Sequence, residues 1–289
     1  MVSRCVNIKN GDKIMKKFMT SAMVVALTAS VSMGIPMGWN GLGDGTTWTD
    51  ANNWVGGVLP GSANSAMQNS TVDNAVIVLS SSTTIGELRM GTGGTGNRQM
   101  TLVLTNGASL TSTGRVELAR DRAGAGNALL MYDSSIVTTV SGAGLLIARP
   151  NAGVQNNAAL TMYNSTIDLA GNLTMYDNQP LLVVTSSITM NNNSWISSAG
   201  IAAVDNGKIF INSGSYLRIR NTTSDAQIDT MISQGIFVVD GTTVTLANKN
   251  DYVEKFGGST YVIPEPATIG MLGLGAIATL LFRRLSRRV

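Results

Sequence analysis

The side chains of this 289-residue chain that could do chemistry are acids and arginines, because it has no histidine and a single cysteine, Cys5. Without histidine, a Ser-His-Asp or Cys-His nucleophile, a histidine-containing zinc site and a histidine general base are all excluded. What remains is paired-carboxylate acid/base work, calcium coordination, or an arginine base beside calcium-binding acids. The densest charged run is Arg120-Asp121-Arg122, close in sequence to Glu117 and one repeat short of Arg149. Asp168, Asp177 and Asp205 join it only if the fold aligns them on one face. Alternating charge on a loop reads more simply as a solvated ion pair, worth under about 1 kcal/mol. The glycine-rich stretch Gly91-Thr92-Gly93-Gly94-Thr95-Gly96 lacks the Gly-Lys-Ser/Thr ending of a phosphate loop and reads as a turn. The expectation is therefore no catalytic residue, no metal site, no cofactor and no enzyme.

Whatever these side chains do, a repeat has to position them. Leu104-Thr105-Asn106-Gly107-Ala108-Ser109-Leu110 recurs as Met131-Tyr132-Asp133-Ser134-Ser135-Ile136 and as Met162-Tyr163-Asn164-Ser165-Thr166-Ile167. Weaker copies end at Ile188, Tyr216 and Val244, giving an average spacing close to 27 residues. Between them sit short alternating segments, Gly86 to Gly91, Gly114 to Ala119 and Gly144 to Arg149, each followed by a Gly/Asn-rich loop ending at Asn97, Asn127 or Asn157. Period-two alternation, enrichment in Thr, Val and Ile, and turns every 8 to 12 residues predict β-structure throughout, with no helical period between Trp39 and Ile263.

A repeat of this length built from short strands predicts an all-β fold, a right-handed parallel β-helix (β-solenoid) with three faces. A β-sandwich is the alternative, and it would need antiparallel hairpins. One coil cannot bury its own apolar face, so Ile136 and Ile167 are expected to point inward in columns shared with neighbouring coils. Turn asparagines Asn106, Asn164 and Asn212 are placed to stack as a ladder. An open solenoid end exposes strand edges and core, so each end needs a cover. Trp39, Trp48 and Trp54 supply it at the N-terminal end, in preference to a sugar-stacking platform, and Val253, Phe256 and Tyr261 at the other.

The two ends read as addresses. Lys16 and Lys17 precede an uncharged stretch from Phe18 to Gly34, the pattern of a secretory signal peptide. Met15 is a natural start, and cleavage is expected before Ile35. At the other end Pro264-Glu265-Pro266 is followed by uncharged residues Ala267 to Phe282 and by Arg283, Arg284, Arg287 and Arg288. Sixteen residues rise about 24 Å as a helix, and snorkelling arginines let such a helix span the hydrocarbon core. The arginine cluster stays cytoplasmic, so the signal helix sends the body out and the single transmembrane helix stops transfer. Residues 35–263 carry eleven Lys/Arg against fifteen acids, a net of −4, so the high isoelectric point of 9.1 belongs to the ends and a nucleic-acid partner is not expected. No cysteine lies beyond Cys5, so the exported body must be stable without disulfides.

Pro264-Glu265-Pro266, the short glycine-rich apolar helix and the terminal arginines resemble the PEP-CTERM sorting signal of Gram-negative envelope proteins. The Trp-rich opening resembles that of autotransporter-like repeat proteins carrying this signal. The resemblance implies the Sec translocon and an exosortase, a membrane-embedded cysteine protease, as partners. It also implies transient anchoring in the inner membrane and delivery to the cell surface or extracellular matrix. The organisation expected is a leader and signal peptide at 1–34, a Trp-rich cap at 35–83, solenoid repeats at 84–250, a C-terminal cap and linker at 251–263, and the sorting signal at 264–289. The role expected is structural or adhesive, in association with exopolysaccharide. The alternative is a polysaccharide lyase or hydrolase using clustered Asp, Glu and Arg.

Overall fold

The computed structural model describes residues 35–67, 70–91, 99–119, 126–148, 157–175, 187–204, 207–221 and 224–264. The signal helix and the transmembrane helix expected at the two ends lie outside them. Among the described residues no helix is long and apolar enough to cross a membrane.

Strand β1 (Ile35–Met37) and β2 (Asn64–Ala66) come first, and then each coil adds three strands. The first coil holds β3 (Ala75–Leu79), β4 (Thr83–Ile85) and β5 (Glu87–Arg89), and the second β6 (Met100–Leu104), β7 (Ser109–Ser112) and β8 (Val116–Leu118). The third holds β9 (Gly126–Tyr132), β10 (Ser135–Thr138) and β11 (Leu145–Ile147), and the fourth β12 (Asn157–Tyr163), β13 (Thr166–Asp168) and β14 (Leu173–Met175). The fifth holds β15 (Ser187–Asn191), β16 (Trp195–Ser198) and β17 (Ile201–Val204). In the sixth, β18 (Lys208–Ile211) and β19 (Tyr216–Ile219) are followed by helix α1 (Asp225–Ser233) where a third strand would stand. Strands β20 (Phe237–Val239) and β21 (Thr242–Thr243), helix α2 (Lys249–Tyr252), and strands β22 (Val253–Phe256) and β23 (Ser259–Val262) complete the body.

Equivalent strands stack into three sheets, so the body is an all-β solenoid of about six turns. Sheet I runs β1-β2-β5-β8-β11-β14-β17, sheet II ends on β4 and β22, and sheet III ends on β3 and β21. Pairing between coils is parallel, and among the described strands the antiparallel pairs are β19·β23, β22·β23 and β20·β21 at the C-terminal end, with a single antiparallel bridge, Trp39 to Trp54, at the other. Alternation explains the strands: in β6 Met100, Leu102 and Leu104 are buried while Thr101 and Val103 are only partly so. Ile77, Leu102, Leu129, Leu160, Ile188, Ile209 and Phe237 hold one register through sheet III, and every one is fully buried. Leu110, Ile136, Ile167, Ile196 and Leu217 form the matching column of sheet II. Each such side chain contributes roughly 2 kcal/mol of hydrophobic stabilisation.

The weaker repeat copies fall elsewhere than expected. Ile188 stacks in sheet III rather than with Ile167, Tyr216 is the half-buried neighbour of the true register residue Leu217, and Val244 follows the last strand of sheet III. The coil length varies with the corner loops, so a fixed period drifts off the strands. Asn127 and Asn157 open strands rather than closing loops.

A helix is present where none was expected. Ser224 accepts from the Gln227 backbone N–H while the Gln227 side chain reaches back to the Ser224 N–H, a reciprocal cap that starts α1. Ile228, Met231 and Ile232, at i, i+3 and i+4, form its buried stripe and close the core above coil six. At this end Val262 and Tyr252 are buried and Val253 packs against the core, whereas Phe256, expected in the cap, is 78% exposed. At the other end Trp39, Trp48 and Trp54 are all buried, with edge-on rings 5.1 and 4.7 Å apart. The Trp48 N–H donates to the Val78 carbonyl, and the Val78 N–H donates to that of Thr46, which covers the free edge of β3. No ring face is left for a sugar.

Candidate functional site

Three corners join the sheets of each coil, and the one between sheets II and I carries the candidate site. Most glycines there are set by lack of space, whereas Gly142 is set by its φ of +85°. A Cβ on Gly86 would lie 2.7 Å from the Asn64 carbonyl oxygen, on Gly114 2.6 Å from that of Gly86, and on Gly171 2.6 Å from that of Ala143. On Gly144 it would run into the Asn172 carbonyl. These carbonyls are fixed by bonds between coils, among them Gly86 N–H to Asn64 O at 2.9 Å, Gly171 N–H to Ala143 O at 2.7 Å and Leu145 N–H to Asn172 O at 3.1 Å. The corner therefore has a floor of backbone with few side chains.

The result is a groove of about 740 Å³ that follows the stacking direction from Arg115 in the second coil to Arg220 in the sixth. Ser141, Asn172, Thr174 and Asn221 offer hydroxyls and amides along it, and Leu146 is its largest apolar side chain. Among the described residues no carboxylate lines it. Acids stand behind the two arginines instead. Arg115, half exposed, approaches Glu117 at 3.8 Å, and Glu117 is 1% exposed and lies 3.7 Å from the Nε of Arg89. Arg89 also pairs with Glu87, to which the Ser65 hydroxyl donates at 3.2 Å. Arg220 lies 3.0 Å from the Asp168 carboxylate and donates to the Leu169 carbonyl.

Of the charged residues singled out in the sequence, Glu117 and Asp168 are therefore held in ion pairs on different sheets, with no shared cleft. Arg120, Asp121, Arg122, Arg149, Asp177 and Asp205 lie outside the described residues. Among the described residues no three His, Cys, Asp or Glu gather as a metal site. The groove itself escaped sequence reasoning because it is made of glycine, serine and asparagine. Its one legible signal was the recurrence of Gly86, Gly114 and Gly144 ahead of sheet I.

The corner between sheets III and II is a polar ladder of a different make. Ser134 N–H donates to the Ser165 hydroxyl at 3.2 Å, and Ser165 N–H to that of Ser194 at 3.1 Å, all three serines being buried. Outside them Asn106, Asp133 and Asn164 take positive φ, the Asn164 amide donates to Asp133 at 2.6 Å, and Asn212 donates to Asn191 at 2.7 Å. The expected asparagine ladder is thus shared with aspartate and backed by serine. A smaller hollow of about 350 Å³ by Tyr216, Glu254, Phe256 and Tyr261 adjoins stacked Trp195 and Tyr216, 6.1 Å apart and 10° from parallel. Burial pushes the Tyr216 hydroxyl up from its ordinary value, the neighbouring Tyr261 adds to this and Arg218 opposes it, so it stays protonated.

The body passes into its last motif without slack. Val262 is fully buried at the end of β23, Ile263 donates to the Tyr252 carbonyl at 2.9 Å, and Pro264 follows at once. Glu265, Pro266, Arg283, Arg284, Arg287 and Arg288 lie outside the described residues. The family model of the PEP-CTERM protein-sorting motif matches residues 262–288. The chain carries a PEP-CTERM sorting motif. PEP-CTERM motifs imply export, membrane-anchored sorting and processing by an exosortase, and here the motif begins on a strand of the folded body. No curated protein and no solved structure matches the chain.

Proposed function

We propose that this is a non-enzymatic protein of the cell surface or extracellular matrix, with a structural or adhesive role in association with exopolysaccharide. The observation that carries the reading is the PEP-CTERM motif joined directly to a solenoid with covered ends, a body that needs no disulfide to persist outside the cell. Residues 1–34 act as the signal peptide for the Sec translocon, and the apolar stretch before Arg283 holds the body transiently in the inner membrane. The solenoid winds right-handed, as parallel β-connections of this kind do. Held in ion pairs, Glu117 and Asp168 serve the fold better than proton transfer, which favours binding over lyase or hydrolase chemistry.

The test is the C-terminal mass of the protein recovered from producing cells, separated into membrane and extracellular fractions. A body ending near Pro264-Glu265-Pro266 outside the cell is the expected result. Replacing those three residues by alanine should leave the chain intact in the membrane fraction. Normal processing of that variant, or a wild-type protein that is never found outside, overturns the reading.

A further inference from the structure

We propose that the groove between Arg115 and Arg220 binds an extended segment of an acidic polysaccharide, a chain of carboxylated sugar rings lying along the stacking direction. This rests on the matrix reading above and names the ligand class and the place. Three observations point to it.

The groove is long and regular. It crosses five coils, about 19 Å at about 4.8 Å per coil, and the second, third, fourth and sixth coils each place a polar side chain along it, with Ala199 standing for the fifth. A pyranose chain advances by a length close to the coil spacing, so successive rings stay in step with successive coils.

The lining suits hydroxyl-rich rings. The glycine floor admits close approach of backbone, and Ser141, Asn172 and Asn221 supply both donors and acceptors. The volume lies within the range of ordinary ligand clefts.

The charge selects the anion. Guanidinium groups stand at both ends, no described acid lines the space between, and the carboxylate behind Arg115 is shut away from solvent. Arg115 keeps half its side chain exposed and has N–H groups to spare for a ligand carboxylate, the geometry that its planar fork recognises best.

The experiment is calorimetric titration of the full chain in detergent with tetragalacturonate, alongside neutral maltotetraose, monomeric galacturonate, inorganic phosphate and a single-stranded oligonucleotide. Tetragalacturonate alone should bind, with Arg115→Gln weakening it roughly ten-fold. Ser141→Asp is the second variant: it touches no ion pair, keeps the fold by circular dichroism, and should abolish binding by placing a like charge on the anion. Equal binding of maltotetraose overturns the charge selection, and equal binding of the monomer or phosphate overturns the extended site. Equal binding of the oligonucleotide overturns the sugar assignment, and no binding at all, or variants that bind as wild type, overturns the proposal. None of these results bears on whether the protein is sorted, which the C-terminal mass decides separately.

Discussion

Single side chains in this fold hold the backbone of adjoining coils together. Ser165 is one: its hydroxyl accepts from the Ser134 N–H and donates to the Tyr163 carbonyl at 2.7 Å. Ser165→Ala leaves a buried N–H without a partner and should cost about 1 to 3 kcal/mol in denaturant unfolding. Ser215, one column end away, is equally buried but its hydroxyl has no partner, so Ser215→Ala should change stability by little. Equal effects from the two would show that the ladder adds nothing beyond packing. Asp44 does similar work in the N-terminal cap, where its carboxylate accepts from Thr46, Thr47 and the Asn53 amide at 2.7 to 2.9 Å. The bonds from Thr47, then Thr46 and Asn53, hold its pKa far below the usual carboxylate value. A depressed acid stabilises the fold above its unfolded pKa of about 4, and that contribution is lost as the pH falls further. Fluorescence of the buried Trp39, Trp48 and Trp54 should therefore shift below about pH 4, and Asp44→Asn should remove that acid step. An acid step of the same size in the variant would place its origin elsewhere.

Elements are specified by what stacks above and below them as much as by their own residues. Gly144 and Gly142 show the difference. A Cβ at Gly144 meets a neighbouring coil's carbonyl, whereas at Gly142, with a φ of +85°, it meets nothing within 4 Å. Gly144→Ala should thus force coils apart and cost at least about 1 to 3 kcal/mol, and Gly142→Ala should cost about 1 kcal/mol from its left-handed backbone alone. Thermal unfolding of both variants checks this, and a milder effect at Gly144 would contradict the corner packing. Much of this level was legible beforehand. Ile136 and Ile167 stand in the inward column where the repeat placed them, since strong alternation survives any loop length. The copies at Ile188 and Tyr216 slipped because corners of unequal length break the period while leaving strand pairing intact. Helix α1 is encoded locally, by Ser224-x-x-Gln227 and the Ile228, Met231, Ile232 spacing, but its nine residues are short against a chain-long β pattern. The groove was legible only as the recurrence of Gly86, Gly114 and Gly144, for it is built at one corner of several coils at once from residues with little or no side chain.

At the scale of the whole molecule, the solenoid is a stack whose inner coils resemble one another and whose ends do not. Its ends decide whether it stays a single stack. Trp54 donates its indole N–H to the Trp48 carbonyl at 2.8 Å and packs edge-on against both other indoles. Trp54→Ala should cost about 3 to 5 kcal/mol and, by loosening the segment over β3, expose a pairing edge. Light scattering should then show concentration-dependent association that the wild type lacks, and a monodisperse variant would mean that the edge is protected by something else. The other end carries a mechanical consequence. Residue 263 is where any tension transmitted through the sorting tail enters the body, and it does so through β23, which is flanked by β19 on one side and β22 on the other. Drag on an anchored body would therefore load two ladders of hydrogen bonds at once and could not peel a lone edge strand, which makes the attachment point the clamped end of the stack.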